Sequence, residues 1–73
     1  MEQRFELRGE WIALDQLMKA VAWVGSGGEA HALVGAGEVK VDGAVELRKR
    51  AKLRAGQRVS FHNDVVEIVA SAA

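Results

Sequence analysis

The sequence predicts an α+β fold in which a two-helix hairpin packs on a small, mainly antiparallel sheet. Three observations support this prediction. Apolar residues alternate with period two at residues 4–8 and again at residues 39–41 of the 73-residue chain, as they do in half-buried strands. Between them lie two segments whose apolar residues recur every three or four positions, as on one face of a helix. The pair Asp42-Gly43, a strong hairpin-turn signal, follows residues 39–41 and precedes a return strand that begins at Ala44-Val45.

The chain begins with a predicted strand and a predicted helix. Residues 4–8 alternate polar and apolar side chains, which is typical of a short strand. From Ile12 the spacing changes to three and four, and this predicts a first helix that ends near Ala22. Its apolar face carries Leu14, Leu17, Met18 and Val21. The four aromatic residues of the chain stand where core anchors are expected, and they are Phe5, Trp11, Trp23 and Phe61.

A second helix is predicted to begin at Ser26. Ser26 and Glu29 have the S-x-x-E spacing of a capping box, in which each residue satisfies a backbone N–H of the first turn. Gly35 and Gly37 offer left-handed positions at which the helix can end. About three residues join the two helices, so they form a helical hairpin.

Turn signals divide the second half of the chain into short strands. The predicted turns are Asp42-Gly43, Ala55-Gly56 and Asn63-Asp64. The predicted strands between and beside them are residues 39–41, 44–45, 59–61 and 65–69. All of residues 1–73 form one domain, with its core at about residues 12–61 and a loose tail at residues 71–73.

Length and composition exclude several classes of protein. A chain of this size supports one thin core and leaves little room for a deep catalytic cleft. It contains no cysteine, so disulfides and thiolate metal sites are excluded, and a reducing, cytoplasmic setting is favoured. The N-terminus lacks the continuous apolar stretch of a signal peptide, and no run of about eighteen apolar residues could span a membrane. We expect a monomer without cofactor or small-molecule substrate.

Charge is segregated along the chain although its formal net value is zero. Residues 40–58 hold seven Lys or Arg against Asp42 and Glu46, a local excess of +5. Residues 1–39 sum to −3 and residues 59–73 to −2. A field of one sign on one face attracts a polyanion.

The densest part of this positive segment is the run of residues 48–54. It contains five cations and no acidic residue, and they are Arg48, Lys49, Arg50, Lys52 and Arg54. A run of like charges is usually only a solvated face. Here it opposes the folding of a small domain, which favours a functional reason for keeping it. Arginine also presents forked donors that match phosphate oxygens.

The capping box is a sufficient structural explanation for the sequence around Ser26, and a functional role can exist in addition. Gly27 and Gly28 leave the first helical N–H groups accessible, and a helix N-terminus attracts anions through its free donors and its dipole. A phosphate could dock beside Ser26, although Glu29 would partly oppose it.

The two histidines, His31 and His62, lack further ligands at metal spacing, so no metal site is expected. Ser26, His31 and Asp15 could be combined as nucleophile, base and orienter, but such a set can be drawn from almost any chain. We therefore expect no catalytic residue and no enzymatic activity. The aromatic residues do not form a platform for stacking unpaired bases.

The order of these signals resembles the S4 RNA-binding domain. The resemblance runs from about Ile12 to Phe61 and is carried by Leu14-Asp15, Ser26, Glu29-Ala30, Val39, Val41-Asp42-Gly43 and Gly56. The Ser-Gly-Gly-Glu-Ala segment and the Arg-Lys-Arg run are especially similar to the small stand-alone bacterial members, the YbcJ-like proteins. The resemblance implies the helical-hairpin fold of that family, its αL motif, and binding of structured RNA.

Carried onto this chain, the resemblance implies an RNA-binding surface made of Ser26, Gly27, Gly28, His31, Lys40 and the five cations of residues 48–54. Gly27 and His31 stand where many members have basic residues, so the cations of residues 48–54 should contribute most. We expect contacts to about four to six phosphates of ribosomal or transfer RNA. The protein should recognise the backbone and shape of the RNA and not its base sequence. The alternative is an adaptor whose basic segment docks on an acidic protein of ribosome assembly or RNA processing.

Overall fold

The computed structural model describes residues 2–71 and shows two helices and seven strands in that range. They are β1 (Glu2–Leu7), β2 (Ile12–Ala13), α1 (Leu14–Ala20), α2 (Gly27–Gly35), β3 (Val39–Val41), β4 (Ala44–Val45), β5 (Lys52–Leu53), β6 (Arg58–Phe61) and β7 (Asp64–Ala70). Of the predicted loose tail, Ser71 has no regular structure, and Ala72 and Ala73 lie outside the described residues. Neither helix of this range is long and apolar enough to cross a membrane.

The strands form two sheets. The larger has five strands in the order β1-β7-β6-β3-β4, and β2 pairs with β5 in a separate two-stranded sheet. Every pairing is antiparallel except that of β1 with β7, which is parallel. The prediction of two helices with a mainly antiparallel sheet is confirmed.

The core lies between the helices and one face of the larger sheet. Side chains alternate across a strand, so Val39 of β3, Val59 of β6 and Val66 of β7 point to the same side and are fully buried. They share one apolar cluster with Leu14, Leu17 and Met18 of α1 and with Ala30 and Val34 of α2. The molecule therefore has two layers, and the other face of the sheet points away from the helices.

Helix α1 begins two residues later than the spacing predicted. Ile12 and Ala13 instead form β2, with Ile12 opposite Leu53 and Ala13 opposite Lys52. Ala13 occupies the N-cap position and offers no side-chain hydrogen bond. No local signal indicates this strand, because its partner lies about forty residues further along the chain.

Helix α2 has the predicted start in a modified form. The Ser26 hydroxyl accepts a hydrogen bond from the Glu29 N–H at 3.2 Å. The Glu29 carboxylate accepts from the N–H of Gly25 at 2.6 Å, one residue before the position that the usual capping box predicts. Six residues, 21–26, join the helices, rather than about three.

The end of α2 is a Schellman motif. The Gly37 N–H donates to the Val34 carbonyl and the Glu38 N–H donates to the Leu33 carbonyl. Gly37 has φ +78°, a conformation that costs an L-residue roughly 1–2 kcal/mol. Of the two predicted stop positions, Gly37 is therefore the one used, and Gly35 is the last helical residue.

The predicted Asp42-Gly43 turn connects β3 and β4, and both residues have positive φ, +51° and +86°, as a type I′ turn requires. The turn between β6 and β7 lies one residue earlier than predicted. It consists of His62 and Asn63, and His62 carries the positive φ of +56°. Asp64 is already the first residue of β7.

Three of the four aromatic residues contact the core as predicted. Phe5, Trp23 and Phe61 are partly buried against the apolar cluster, and the Trp23 and Phe61 rings lie 5.5 Å apart. The prediction for Trp11 is wrong, because its side chain is 41% exposed. It lies just before β2, and its ring faces the Lys52 ammonium.

Candidate nucleic-acid interface

The basic arm, residues 48–54, is fixed to the start of α1 by its backbone. The Leu14 N–H donates to the Ala51 carbonyl at 2.9 Å and the Asp15 N–H donates to the Lys49 carbonyl at 3.1 Å. These bonds satisfy helix donors that have no side-chain cap. Pairing of β5 with β2 fixes the rest of the arm. The cations therefore project from an ordered segment, although most of the arm is outside regular structure.

An open groove separates the basic arm from α2. It has a volume of about 870 Å³ and is lined by His31, Gly35, Leu47, Arg48, Lys49, Arg50, Ala51 and Lys52. Four of these residues are cations of the basic arm, and His31 and Gly35 come from α2. The structure thus brings His31 together with most of the predicted basic residues.

Asp15 holds the two sides of the groove together. Its Oδ2 lies 3.0 Å from His31 Nε2 on α2 and 3.6 Å from an Arg50 guanidinium nitrogen of the basic arm. Burial alone raises the pKa of Asp15, but the hydrogen bond to His31, the Arg50 charge and the Gln16 N–H outweigh burial and lower the pKa below its ordinary value. An ionised carboxylate only accepts, so His31 Nε2 is the donor.

Arg48 is the cation of the arm whose charge is compensated most directly. Its guanidinium donates two hydrogen bonds to the Glu46 carboxylate, at 3.0 and 3.2 Å, and its backbone N–H donates a third at 2.9 Å. The side-chain bonds to Arg48 lower the pKa of Glu46, and the same bonds raise the pKa of Arg48. Both groups are thus firmly ionised, and their charges offset each other.

Lys52 and Arg54 extend the positive surface toward β2. The Lys52 ammonium lies 4.9 Å from the centre of the exposed Trp11 ring, a cation–π contact. An Arg54 guanidinium nitrogen lies 3.4 Å from the Glu10 carbonyl oxygen. Arg54 is outside the groove lining, so it belongs to the basic arm but to an adjoining part of its surface.

The structure does not bring every predicted residue into the groove. Ser26, Gly27 and Gly28 lie at the N-terminus of α2 and are not among the lining residues. Of the three residues that could be combined as a catalytic set, His31 and Asp15 contact each other, whereas the Ser26 hydroxyl accepts from the Glu29 N–H.

Lys40 is on the other face of the sheet. Its neighbours Val39 and Val41 face the core, so alternation points Lys40 away from the helices. There it lines a separate depression with Gly37, Glu38, Ser60 and His62. On the same face Arg4 pairs with Glu67 at 3.7 Å, and Arg58 pairs with Glu2.

Sequence reasoning missed the apolar part of the groove. Leu47 lines it with a side chain that is 64% exposed, and Gly35 leaves open space at its wall. A leucine directly before a cationic run was the available signal for Leu47. No local signal identified Gly35, because its proximity to the arm follows from the packing of α2 beside residues 47–52.

Fold and groove together define a small α+β domain with a helical hairpin and an adjoining basic arm. The S4 domain model matches residues 5–69, which is most of the chain, and the protein therefore belongs to the S4 domain family. The match extends beyond the predicted core of residues 12–61 to include parts of β1 and β7.

Within that family the chain is similar to YbcJ. It is 49% identical over 59 residues to the Escherichia coli (strain K12) protein named "Putative RNA-binding protein YbcJ", covering 81% of this chain and 84% of the relative. The YbcJ protein of Shigella flexneri, named as uncharacterized, matches with the same identity and coverage. The solution structure of YbcJ from E. coli superposes with a TM-score of 0.68 at 42% identity, over 94% of this chain and 86% of that one. That structure is described as revealing an αL motif involved in RNA binding.

Proposed function

We propose that the protein is a monomeric, non-catalytic, cytoplasmic binder of structured RNA, ribosomal or transfer RNA, and that the RNA backbone docks along the groove between α2 and the basic arm. The observation that carries this proposal is the convergence of four cations and His31 on one groove. The relative YbcJ is named as an RNA-binding protein, which supports the same class of ligand.

The groove suits phosphate because its cations are both exposed and ordered. The Arg50 side chain is 63% exposed, yet Asp15 and the backbone bonds of the arm restrict its position. An arginine that is held in place loses less conformational entropy when its fork engages phosphate oxygens. Lys49 and Lys52 add point charges on the same segment.

The rest of the surface competes weakly for a polyanion. On the outer face of the sheet, Arg4 and Arg58 each pair with a carboxylate, Glu67 and Glu2 respectively. The overall charge of zero therefore conceals an asymmetric charge distribution, with an excess of cations at the groove and two arginines paired with carboxylates on the outer face. Such a distribution orients an approaching polyanion.

A salt series tests the proposal. Arg48 is compensated by Glu46, which leaves Lys49, Arg50, Lys52 and Arg54 as the principal phosphate contacts. About four contacts predict that log affinity for a transfer or ribosomal RNA fragment falls with log salt concentration at a slope of about −2.8 to −3.6. Fluorescence anisotropy with labelled RNA measures this slope. A flat response, or cellular partners that stay bound after nuclease treatment, contradicts the proposal and favours an acidic protein partner.

Two carboxylate variants localise the contact. Glu46→Gln releases Arg48 at the groove, and Glu67→Gln releases Arg4 on the outer face. Each removes one negative charge and frees one arginine, so they are matched in charge. We expect Glu46→Gln to tighten RNA binding about two- to fivefold, the effect of one additional exposed ionic contact, and Glu67→Gln to change it less than twofold. Equal effects would show that the RNA responds only to net charge.

A further inference from the structure

We propose that the groove between α2 and the basic arm accommodates one unstacked nucleobase, so that the protein prefers RNA sites with an unpaired nucleotide over continuous helices. The inference rests on the proposed function and specifies its ligand further. It assigns a role to the lining residues that phosphate binding does not require.

The first observation is the apolar lining. Although four cations border it, the surface of the groove is mainly apolar. Leu47, which is 64% exposed, lines the groove together with the buried Ala51. Phosphates gain nothing from contact with leucine, whereas the face of a base is apolar and loses its water shell favourably against such a surface.

The second observation is the open wall at Gly35. A Cβ added to Gly35 would have no atom within 4 Å, and its φ is not positive. The backbone conformation at Gly35 does not require glycine, and a Cβ there would meet no neighbouring atom. The absence of a side chain therefore serves to widen the groove. The resulting 870 Å³ lies within the range of about 300–1,000 Å³ that holds small ligands.

The third observation is the arrangement of polar groups around this apolar surface. His31 uses Nε2 to bond Asp15, so Nδ1 is the ring nitrogen that can contact the edge of a base. Guanidinium groups can also cover a base, and Arg48 and Arg50 both border the groove. In a continuous RNA helix the base faces are stacked and cannot reach such a surface, whereas a bulged or looped nucleotide can.

The test compares two hairpin RNAs that differ by one nucleotide. One carries a single bulged 2-aminopurine in its stem, and the other has the same stem fully paired. We expect the wild-type protein to bind the bulged hairpin about five- to tenfold more tightly, the effect of burying one base face. The 2-aminopurine emission should rise on binding, because the base leaves its stacked neighbours.

Two pairs of variants separate the groove from the remaining surface. Leu47→Ala removes apolar surface inside the groove, and Val45→Ala does so at an exposed valine of β4 outside it. Gly35→Leu fills the groove, and Ala32→Leu adds the same side chain at an exposed position of α2 outside the lining. We expect Leu47→Ala and Gly35→Leu to reduce the preference for the bulged hairpin to about twofold or less. The controls should keep it, and Val45→Ala and Ala32→Leu should bind the paired hairpin as the wild type does.

The outcomes distinguish the two proposals. Salt-dependent binding of both hairpins with equal affinity overturns the base-binding inference and leaves RNA binding intact. Absence of salt-dependent binding to either hairpin overturns the proposed function itself. If Leu47→Ala weakens binding of a hexaglutamate peptide and leaves the preference for the bulge unchanged, the groove belongs to a protein partner and the inference is wrong.

Discussion

Asp15 is the only charged side chain that is buried among residues 2–71. Asp15 connects the two sides of the groove, because its Oδ2 contacts both His31 of α2 and Arg50 of the basic arm. The remaining oxygen, Oδ1, is buried without a hydrogen-bond partner in the same range of residues. A buried carboxylate stabilises a fold only while its partners remain in place, so this residue links stability to the shape of the groove.

The depressed pKa of Asp15 predicts a specific loss of stability in acid. A carboxyl whose pKa is lower in the folded than in the unfolded chain stabilises the fold above its ordinary pKa, here 3.8, and this contribution is lost as pH falls through the folded value. We expect Asp15→Asn to cost about 1–2 kcal/mol of unfolding free energy at pH 7. It should also flatten the acid-induced decline of stability below about pH 4.

Urea unfolding measured between pH 7 and pH 2.5 checks this prediction. Glu6→Gln, at an exposed position of β1, is the control and should change stability by less than about 0.5 kcal/mol at pH 7. Parallel pH curves for wild type and Asp15→Asn would contradict the role given to the buried carboxylate.

Four of the eight groove-lining residues were identified from the sequence by their charge, but their pairing was not. The cations of residues 48–54 were visible as a run, whereas the compensation of Arg48 by Glu46 depends on a local backbone shape with no sequence signature. The contact of His31 with Asp15 spans 16 positions. It could not be inferred from spacing, because it depends on how the two helices are packed.

At the scale of elements, the ends of α2 show what local chemistry determines. Ser26 caps the start and Gly37 ends the helix in a left-handed conformation. Both were predicted because caps and stops are read from a few adjacent residues. The end of α2 matters for function, because Gly35 in its last turn borders the groove.

Two glycine substitutions in this turn should change stability in opposite directions. Gly37→Ala places a Cβ at φ +78° and should cost about 1–2 kcal/mol of unfolding free energy. Its added Cβ would meet Val45 Cγ1 at 3.8 Å, an ordinary contact, so the cost comes from the backbone alone. Gly35→Ala has helical φ and open space, and it should stabilise by about 0.5 kcal/mol.

Thermal and urea denaturation of the two variants measure the difference. If Gly37→Ala is as stable as the wild type, the Schellman end of α2 is not formed as described. If Gly35→Ala is strongly destabilising, the wall of the groove is not open at that position.

The start of α1 and the β6–β7 turn were predicted less accurately for a physical reason. The apolar spacing at Ile12 fits a helix, but β2 forms there because β5 and the carbonyls of the basic arm supply its partners from far along the chain. At the second turn, His62 takes the positive φ that Asn or Gly more often adopts. Tertiary pairing prevailed over local preference in both places.

At the scale of the whole molecule, the topology separates two surfaces. The parallel pairing of β1 with β7 joins the two ends of the described chain, and no short-range pattern could have predicted it. It places Arg4 beside Glu67 and Glu2 near Arg58 on the outer face. Arg4 and Arg58 of the outer face are thereby compensated by carboxylates.

The position of Lys40 also follows from the arrangement of the whole sheet. The S4 resemblance suggested it as a contact residue, and the alternation of β3 places it on the outer face with Ser60 and His62. Its sequence distance from the basic arm is short, yet the sheet lies between Lys40 and the groove. A contact between RNA and Lys40 would therefore indicate binding at the outer face and not at the groove.

Amide NMR of the protein during titration with a transfer or ribosomal RNA hairpin locates the bound RNA directly. Binding at the groove predicts that the largest saturable shift changes occur at His31, Gly35 and residues 47–52, which line it. Changes should be small at Lys40, Ser60 and Glu67 of the outer face. The largest changes on the outer face, or shifts that never saturate, would contradict the claim that the groove between α2 and the basic arm binds RNA.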